Sequence, residues 1–448
     1  MLERSCPCQI RTTMLLNCKS AFYILRTMAC RACGCRQQVQ HSLRSFSHCA
    51  GVLGNRSPKL QYRHKFKEYS TYCDRKQRYL SALSSSLLRK EQQRPLSRFD
   101  FLDIEEVEEM INNAEKRRWI RRFIVNPDLA NLIVEHIDTD LSENNAIIFE
   151  CNPGPGVLTR ALLNGGAQRI VALECDKQFL PTLQSLERHV NGQLEVVHCD
   201  FFKLDPLGRG MMKPPAMFSE KLFNDLGISE VAWTADPPIK LVGIFPQKNE
   251  RNMLWKLVYA LFERISVFQY GRIEINMFIS EKEYTKLTAE PGNLQHYQAL
   301  VALWQMACDI ELLHKEPWSS FSTSSKNGGC VKRGTVTNDH LCLVRLTPRK
   351  DLFNQTLTAA NSATLVMMMK QCLAKRRAKL IDKLESWCPG GGAKLMMELD
   401  LPEDVLTGHV FPEEYKQLFE AMEQSRDFSQ SWLYEEILEN TNTTVRHI

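Results

Sequence analysis

The residues from 150 to 156 read Glu-Cys-Asn-Pro-Gly-Pro-Gly and stand between an apolar run and a helix-like stretch. Glycines suit a strand-to-helix turn in which the backbone must bend tightly and let a ligand come close. Roughly twenty residues on, Glu174 ends the next apolar run, the place from which a carboxylate reaches ribose hydroxyls in nucleotide-type sites. Asp200 closes a third run, and Asp236-Pro237-Pro238-Ile239 follows a fourth. Any one of these acids alone reads as a helix cap or a solvated loop residue. Four successive strand ends that each carry a glycine turn or a carboxylate describe one ligand-binding edge, and the chemistry they suit is that of a nucleotide-type cofactor.

The elements that must hold those residues follow from the alternation of apolar and turn segments. Ala146 to Glu150 and Arg169 to Glu174 read as strands with a helix over Gly156 to Asn164 between them. Leu194 to His198, Val231 to Ala235, Ile273 to Ile279 and Leu341 to Leu346 supply four more short strands. Strands separated by helical stretches predict a doubly wound α/β fold, a largely parallel sheet covered on both faces. After Pro348 the pattern turns helical, with Thr364 to Ile381 and Pro412 to Met422 as the clearest segments and a break at Pro389 to Gly392. The expected organisation is a basic leader over 1–67, a polar spacer over 68–102, an α/β domain over 103–349 and a small helical domain over 350–448.

Charge divides the chain unevenly. It carries 57 Lys and Arg against 52 Asp and Glu in 448 residues, yet residues 1–67 hold twelve bases and a single acid, Glu3. The remainder, with 45 bases and 51 acids, is mildly acidic. A leader rich in Arg and Ser and poor in acids has the composition of a mitochondrial transit peptide. The apolar stretch Met14 to Met28 is interrupted by Lys19 and Arg26, short of the ~18–20 apolar residues that span a bilayer, so no membrane segment is expected. Cys30, Cys33 and Cys35 lie close together in the leader without a second ligand pair, and no metal site is expected. Cys151, Cys175 and Cys199, at the ends of apolar runs, read as reduced structural thiols.

These motifs resemble those of the rRNA adenine N6-dimethyltransferases over roughly residues 120 to 350, with weaker similarity to the end. The family's glycine loop reads Glu-x-Gly-Pro-Gly-x-Gly-x-Leu-Thr; Glu150, Gly154, Gly156, Leu158 and Thr159 match it, and Asn152 replaces the first glycine. Arg122-Phe123-Ile124-Val125-Asn126 resembles the segment that lies over the cofactor, and Pro291-Gly292 after Ser280-Glu281-Lys282-Glu283 is similar to a further family pattern. The resemblance implies a Rossmann-like methyltransferase fold with a small helical C-terminal domain and S-adenosyl-L-methionine as cofactor. It places Ile124 or Val125 beside the cofactor, Gly154 and Gly156 under its methionine part, Glu174 on the ribose and Asp200 on the adenine amine.

The family's catalytic segment, Asn-Leu-Pro-Tyr, holds a flipped adenine by its N6 amine and stacks on the base. Methyl transfer then depends on aiming the amine lone pair at the sulfonium methyl. The corresponding residues are expected to be Asp236-Pro237-Pro238-Ile239, with Asp236 and the Pro238 carbonyl in the catalytic roles and no ring at 239. Stacking on a base is worth ~1–3 kcal/mol, so methylation is expected to be impaired. The loop Glu316-Pro317-Trp318-Ser319-Ser320-Phe321, which borders the substrate pocket in the family, is altered too.

A kept frame with a degraded catalytic segment resembles a branch of the family that acts at mitochondrial promoters. Residues Glu150 to Leu158, His198 to Pro206, Trp233 to Asp236 and Glu316 to Phe321 carry that likeness. It implies a matrix and nucleoid protein that helps the mitochondrial RNA polymerase, together with a DNA-bending transcription factor, to melt promoter DNA. The alternative is an active dimethylase of small-subunit rRNA. The run Lys116, Arg117, Arg118, Trp119, Ile120, Arg121, Arg122 places five bases around one indole and suits contact with phosphates and an unpaired base. A second basic cluster, Lys375, Arg376, Arg377, Lys379 and Lys383, is expected on a helix. The stretch from Glu398 to Glu439 holds twelve acids against Lys416 and Arg426, which excludes it as a DNA surface and leaves it to pack on the chain or on a protein partner.

Overall fold

The computed structural model describes residues 107, 109–111, 121–137, 141, 145–206, 212–324 and 340–429, all within the compact unit Leu96–Ile448. The leader, the spacer, Lys116 to Ile120 and the last acidic residues lie outside the described residues.

Seven strands build the main sheet: β2 (Ile147–Cys151), β3 (Ile170–Glu174), β4 (Leu194–His198), β5 (Ile239–Ile244), β6 (Ile273–Ser280), β7 (Cys308–Pro317) and β9 (His340–Pro348). Their order is β4-β3-β2-β5-β6-β9-β7. The first five run parallel, and β9 is antiparallel to both β6 and β7. The order reverses between β2 and β5, and ligands of doubly wound folds bind in the crevice outside the carboxyl ends of the strands at such a switch point. Two short strands, β1 (Arg121–Ile124) and β8 (Phe321–Ser324), form a separate antiparallel ribbon.

Successive residues of the parallel strands go to opposite faces of the sheet. Phe149, Val171, Leu241 and Met277 enter one core, which continues through Leu257, Trp304 and Met369 to Tyr415 and Phe419 in the helices after Pro348. Ile148, Ala172, Val242 and Phe278 enter the other, against α1 (Pro127–Ile137) and α2 (Val157–Asn164). Burial on both faces is why these strands read as unbroken apolar runs.

Two strand assignments change. Val231 to Ala235, expected as the fourth strand, is a loop whose carbonyls are taken by a side chain: Arg272 Nε donates to Trp233 O (2.9 Å) and Nη2 to Ala235 O (2.6 Å). The strand is the later run Ile239–Ile244. Paired prolines at 237 and 238 cannot sit in a central strand, because each removes a ladder donor. Gly243 lies at φ 151°, where a Cβ would stand 2.7 Å from Cys151 O, so β5 approaches β2 closely at the switch point. β7 escaped the sequence pattern because it is an edge strand studded with charge, a common way to protect an exposed edge.

The stretch expected as one helix over Thr364 to Ile381 is two, α3 (Ser362–Ala374) and α4 (Leu380–Trp387). The basic residues Lys375 to Lys379 form the turn between them rather than a helix face. Thr407 Oγ1, Gly408 N and Thr407 N donate to the carbonyls of Lys375, Arg376 and Ala378, which fixes this turn against its neighbour. Further along, α5 (Pro412–Gln424) buries Tyr415, Leu418, Phe419 and Met422. Its acids bond within the chain, with Glu413 accepting from Arg349 and Glu420 from Asn354.

Candidate cofactor and base site

The glycine loop after β2 bends through three left-handed residues, Asn152 (φ 58°), Gly154 (φ 63°) and Gly156 (φ 84°). Asparagine is among the side chains most tolerant of that conformation, so Asn152 keeps the turn the family builds with glycine. Glu150, fully buried just before it, accepts a 2.6 Å hydrogen bond from the Thr159 hydroxyl of α2. Burial pushes its carboxyl pKa up to about 8, helped by the nearby charge of Glu174. At neutral pH Glu150 is therefore a neutral acid joining strand to helix.

Glu174 ends β3 wholly buried, and both of its oxygens are engaged. Oε2 accepts from Gly154 N (2.8 Å) and from Arg121 Nη2 (2.6 Å), and Oε1 accepts from Asp176 N (2.6 Å). Burial disfavours the Arg121 charge, but Glu174, with Cys175 and Asp176 beside it, holds the guanidinium above its ordinary pKa. Asp200, after β4, accepts from Phe202 N at 3.2 Å and pairs with Lys203 at 2.9 Å. Gly154, Gly156, Glu174 and Asp200 thus meet at one sheet edge, where a nucleoside cofactor of this fold belongs.

The segment preceding the sheet is placed differently from expectation. It is the Phe123 ring, rather than Ile124 or Val125, that covers the glycine loop; a Cβ on Gly154 would lie 2.5 Å from it. Ile124 turns into the core with Leu129 and Phe321, and Val125 packs behind Phe123 with Phe179. Arg121 and Arg122, expected on nucleic acid, point inward instead. Arg121 lies over the rings of Phe123 and Phe179 as well as on Glu174. The Nε of Arg122 donates to Gln247 Oε1 (2.8 Å), and its guanidinium carbon stands 4.1 Å over the Trp318 ring. Lys116, Arg117 and Arg118 lie outside the described residues.

Asp236 and Pro238 are at the wrong edge for catalysis. Pro238 O accepts from Ile147 N, at the start of β2, whereas the glycine loop lies beyond its end. Asp236 is exposed and held by Lys350 at 2.9 Å, a hydrogen bond that keeps its carboxyl below its ordinary pKa. The residues that leave β5 beside the glycine loop are Ile244-Phe245-Pro246-Gln247. Their proline falls in register with that of Asn-Leu-Pro-Tyr, and the signal available in the sequence was the apolar run Ile239 to Ile244 with a proline two residues beyond it. In that register Ile244 takes the position of the asparagine and Gln247 that of the tyrosine. Phe245 is no substitute ring, because it is buried against Phe202 at 5.5 Å.

The model of the ribosomal RNA adenine dimethylase family matches residues 112–424, and the chain belongs to that family. S-adenosylmethionine is the cofactor of this class of methyltransferase, and the glycine loop with Glu174 and Asp200 fits its backbone and carboxylate requirements, while Arg121 and Phe123 fill the intervening space. Among individual proteins, the chain is 44% identical over 325 residues to dimethyladenosine transferase 2, mitochondrial, of Homo sapiens, covering 71% of this chain and 82% of that one. It is 26% identical over 317 residues to the protein of the same name in Drosophila melanogaster, covering 68% of each. Of solved structures, a dimethyladenosine transferase from Plasmodium falciparum is similar over 66% of this chain and 95% of that one, at 16% identity and a TM-score of 0.44. Among the described residues, no helix is long and apolar enough to cross a membrane and no cluster of His, Cys, Asp and Glu could hold a metal.

Proposed function

We propose that the chain is a mitochondrial transcription initiation factor built on an adenine dimethylase frame. In this reading it helps the mitochondrial RNA polymerase and a DNA-bending factor open promoter DNA in the matrix nucleoid, and its methyl transfer is residual. The observation that carries the reading is the segment after β5. Ile244 offers no side-chain acceptor for an adenine amine, Gln247 offers no ring, and Arg122 already stands between Gln247 and Trp318. Positioning supplies much of the catalysis in such a transfer, so its loss argues for a role other than turnover.

Support for nucleic-acid contact lies on the turn Lys375 to Lys379. Leu294, Gln295, Lys375, Arg376, Arg377 and Ala378 line an open concavity of about 590 Å³. Side chains on a turn whose carbonyls accept three hydrogen bonds from Thr407 and Gly408 can meet several phosphates in a fixed pattern. Support for the organelle comes from the acid-poor leader and from relatives named mitochondrial. The proposed organisation keeps residues 1–67 as a leader removed on import, 68–102 as a spacer, 103–349 as the methyltransferase-like part and 350–448 as the helical part.

A second reading, dimethylation of adjacent adenines in mitochondrial small-subunit rRNA, is favoured by the retained glycine loop, Glu174 and Asp200. Promoter-dependent run-off transcription distinguishes the two, using purified polymerase and DNA-bending factor with and without the chain from residue 68 onward. The expected outcome is a transcript that depends on the added chain and survives loss of the cofactor frame in a Gly154→Ala, Glu174→Gln variant. No stimulation, together with efficient methylation of an rRNA hairpin, would leave the second reading standing.

A further inference from the structure

One short strand fills both halves of the site. Phe123 of β1 lies on Gly154, Arg121 two residues before it pairs with Glu174, the carboxylate placed for a ribose, and Arg122 on the same strand closes the base side against Gln247 and Trp318. We infer that β1 is a displaceable strap, and that S-adenosylmethionine or its product enters only when β1 leaves β8.

Two features make the closed arrangement reversible. The first is its attachment. β1 belongs to a four-residue antiparallel ribbon, Arg121 to Ile124 against Ser324 to Phe321, outside the seven-stranded sheet. An isolated two-stranded ribbon is marginally stable in water, so the strap depends on what its side chains cover. The second is poor polar satisfaction. Arg121 Nε and Nη1, Asn152 Oδ1, Gln247 Nε2 and Trp318 Nε1 are buried without a hydrogen-bond partner, and five of the seven such atoms among the described residues belong to these four residues around the cleft. Buried polar atoms left unpaired oppose the state that buries them. The closed strap is held by the Arg121–Glu174 ion pair, the hydrogen bonds of Arg121 to Asn152 O and of Arg122 to Gln247, the Arg122 stack on Trp318 and the buried side chains of Phe123 and Ile124, and is opposed by five unpaired polar atoms.

Ligand and closed strap are mutually exclusive in this arrangement. A nucleoside reaching Glu174 must displace the Arg121 guanidinium, and a ligand lying on the glycine loop must displace the Phe123 ring. Cofactor affinity is thereby lowered by the energy of closure, as for any protein whose binding-competent state is a minor one.

The test is S-adenosylhomocysteine binding to the full chain by calorimetry, joined to amide hydrogen exchange read by mass spectrometry. In the wild-type chain, ligand is expected to speed exchange at residues 121–124 and 321–323 while slowing it at 152–158. Arg121→Gln and Phe123→Ala, each checked for folding by thermal melting, are expected to bind at least ten-fold more tightly than wild type. Slower exchange in β1 on ligand addition would overturn the inference, because it would mean the ligand binds beneath a closed strap. Weaker binding by both variants would do so as well, by making Arg121 and Phe123 part of the binding site. If neither wild type nor variants bind, the strap does not control entry and the inference also fails.

Discussion

The two halves of the ligand edge, which meet where β2 pairs with β5, differ in what their residues do for the fold. On the β3 side, Glu174 satisfies Gly154 N and Asp176 N as well as Arg121, and Asp200 caps the turn that starts at Phe201. On the β5 side, Ile244 ends the strand and Gln247 bonds only Arg122 among the interactions described. The first half carries structural duties along with any ligand; in the second, Phe245 serves the core while Gln247 carries little beyond its bond to Arg122. Where a binding residue also closes a backbone turn, its persistence says little about turnover. The positions that discriminate are those whose only task is the substrate.

The largest effect expected from this contrast falls on Glu174. Glu174→Ala strands the Arg121 charge in a buried site and removes the acceptor for two loop amides, and breaking a buried pair in this way costs about 3–5 kcal/mol. Chemical denaturation should show that loss, and a variant as stable as wild type would break the comparison.

Glu150 comes next. Its carboxyl stays protonated in the folded chain up to about pH 8, against an ordinary value of 4.5. The folded state therefore binds more protons than the unfolded state across that window. The associated stability is complete below about 4.5 and is lost as pH rises through 8, on the order of a few kcal/mol in all. Denaturation midpoints measured between pH 5 and about 8.5 should fall in the wild type more than in Glu150→Gln, where the titrating proton is gone. Parallel pH profiles would contradict the assignment.

The base side should be far more tolerant. Arg122→Ala removes a stack on Trp318 worth about 0.5–2 kcal/mol, and its melting temperature should drop only slightly. Smallest of all is Asp236→Asn, an exposed change at the opposite edge of the sheet. It should leave both melting temperature and S-adenosylhomocysteine affinity unchanged, and an altered affinity would return Asp236 to the site.

Most of the α/β frame was legible because its signals are physical necessities. A tight turn demands residues that accept positive φ, as at Asn152, Gly154 and Gly156, and buried parallel strands must be apolar throughout. That Glu174 and Asp200 stand at the ends of β3 and β4 was legible by spacing along that frame. The base side was misread because Asp236-Pro237-Pro238 imitates a polar residue with a proline two positions on, whereas β5 begins only at Ile239. Arg121 and Arg122 were misread for another reason. Five bases around an indole look like a phosphate-binding surface, and nothing local reveals that a buried acid 53 residues away takes one of them inward. The strap role of β1 was illegible for the same reason, since it depends on pairing with Phe321 to Ser324 across two hundred residues of chain.

In the proposed reading the frame persists without the means to position adenine. The most direct test of that reading is the initial rate of adenine dimethylation on a small-subunit rRNA hairpin at saturating S-adenosylmethionine, comparing wild type with an Ile244→Asn, Gln247→Tyr double variant. The expected result is a trace rate for wild type and a gain of roughly ten-fold or more in the variant, the scale of one restored base stack. A robust wild-type rate that the double change lowers or leaves untouched would contradict the account.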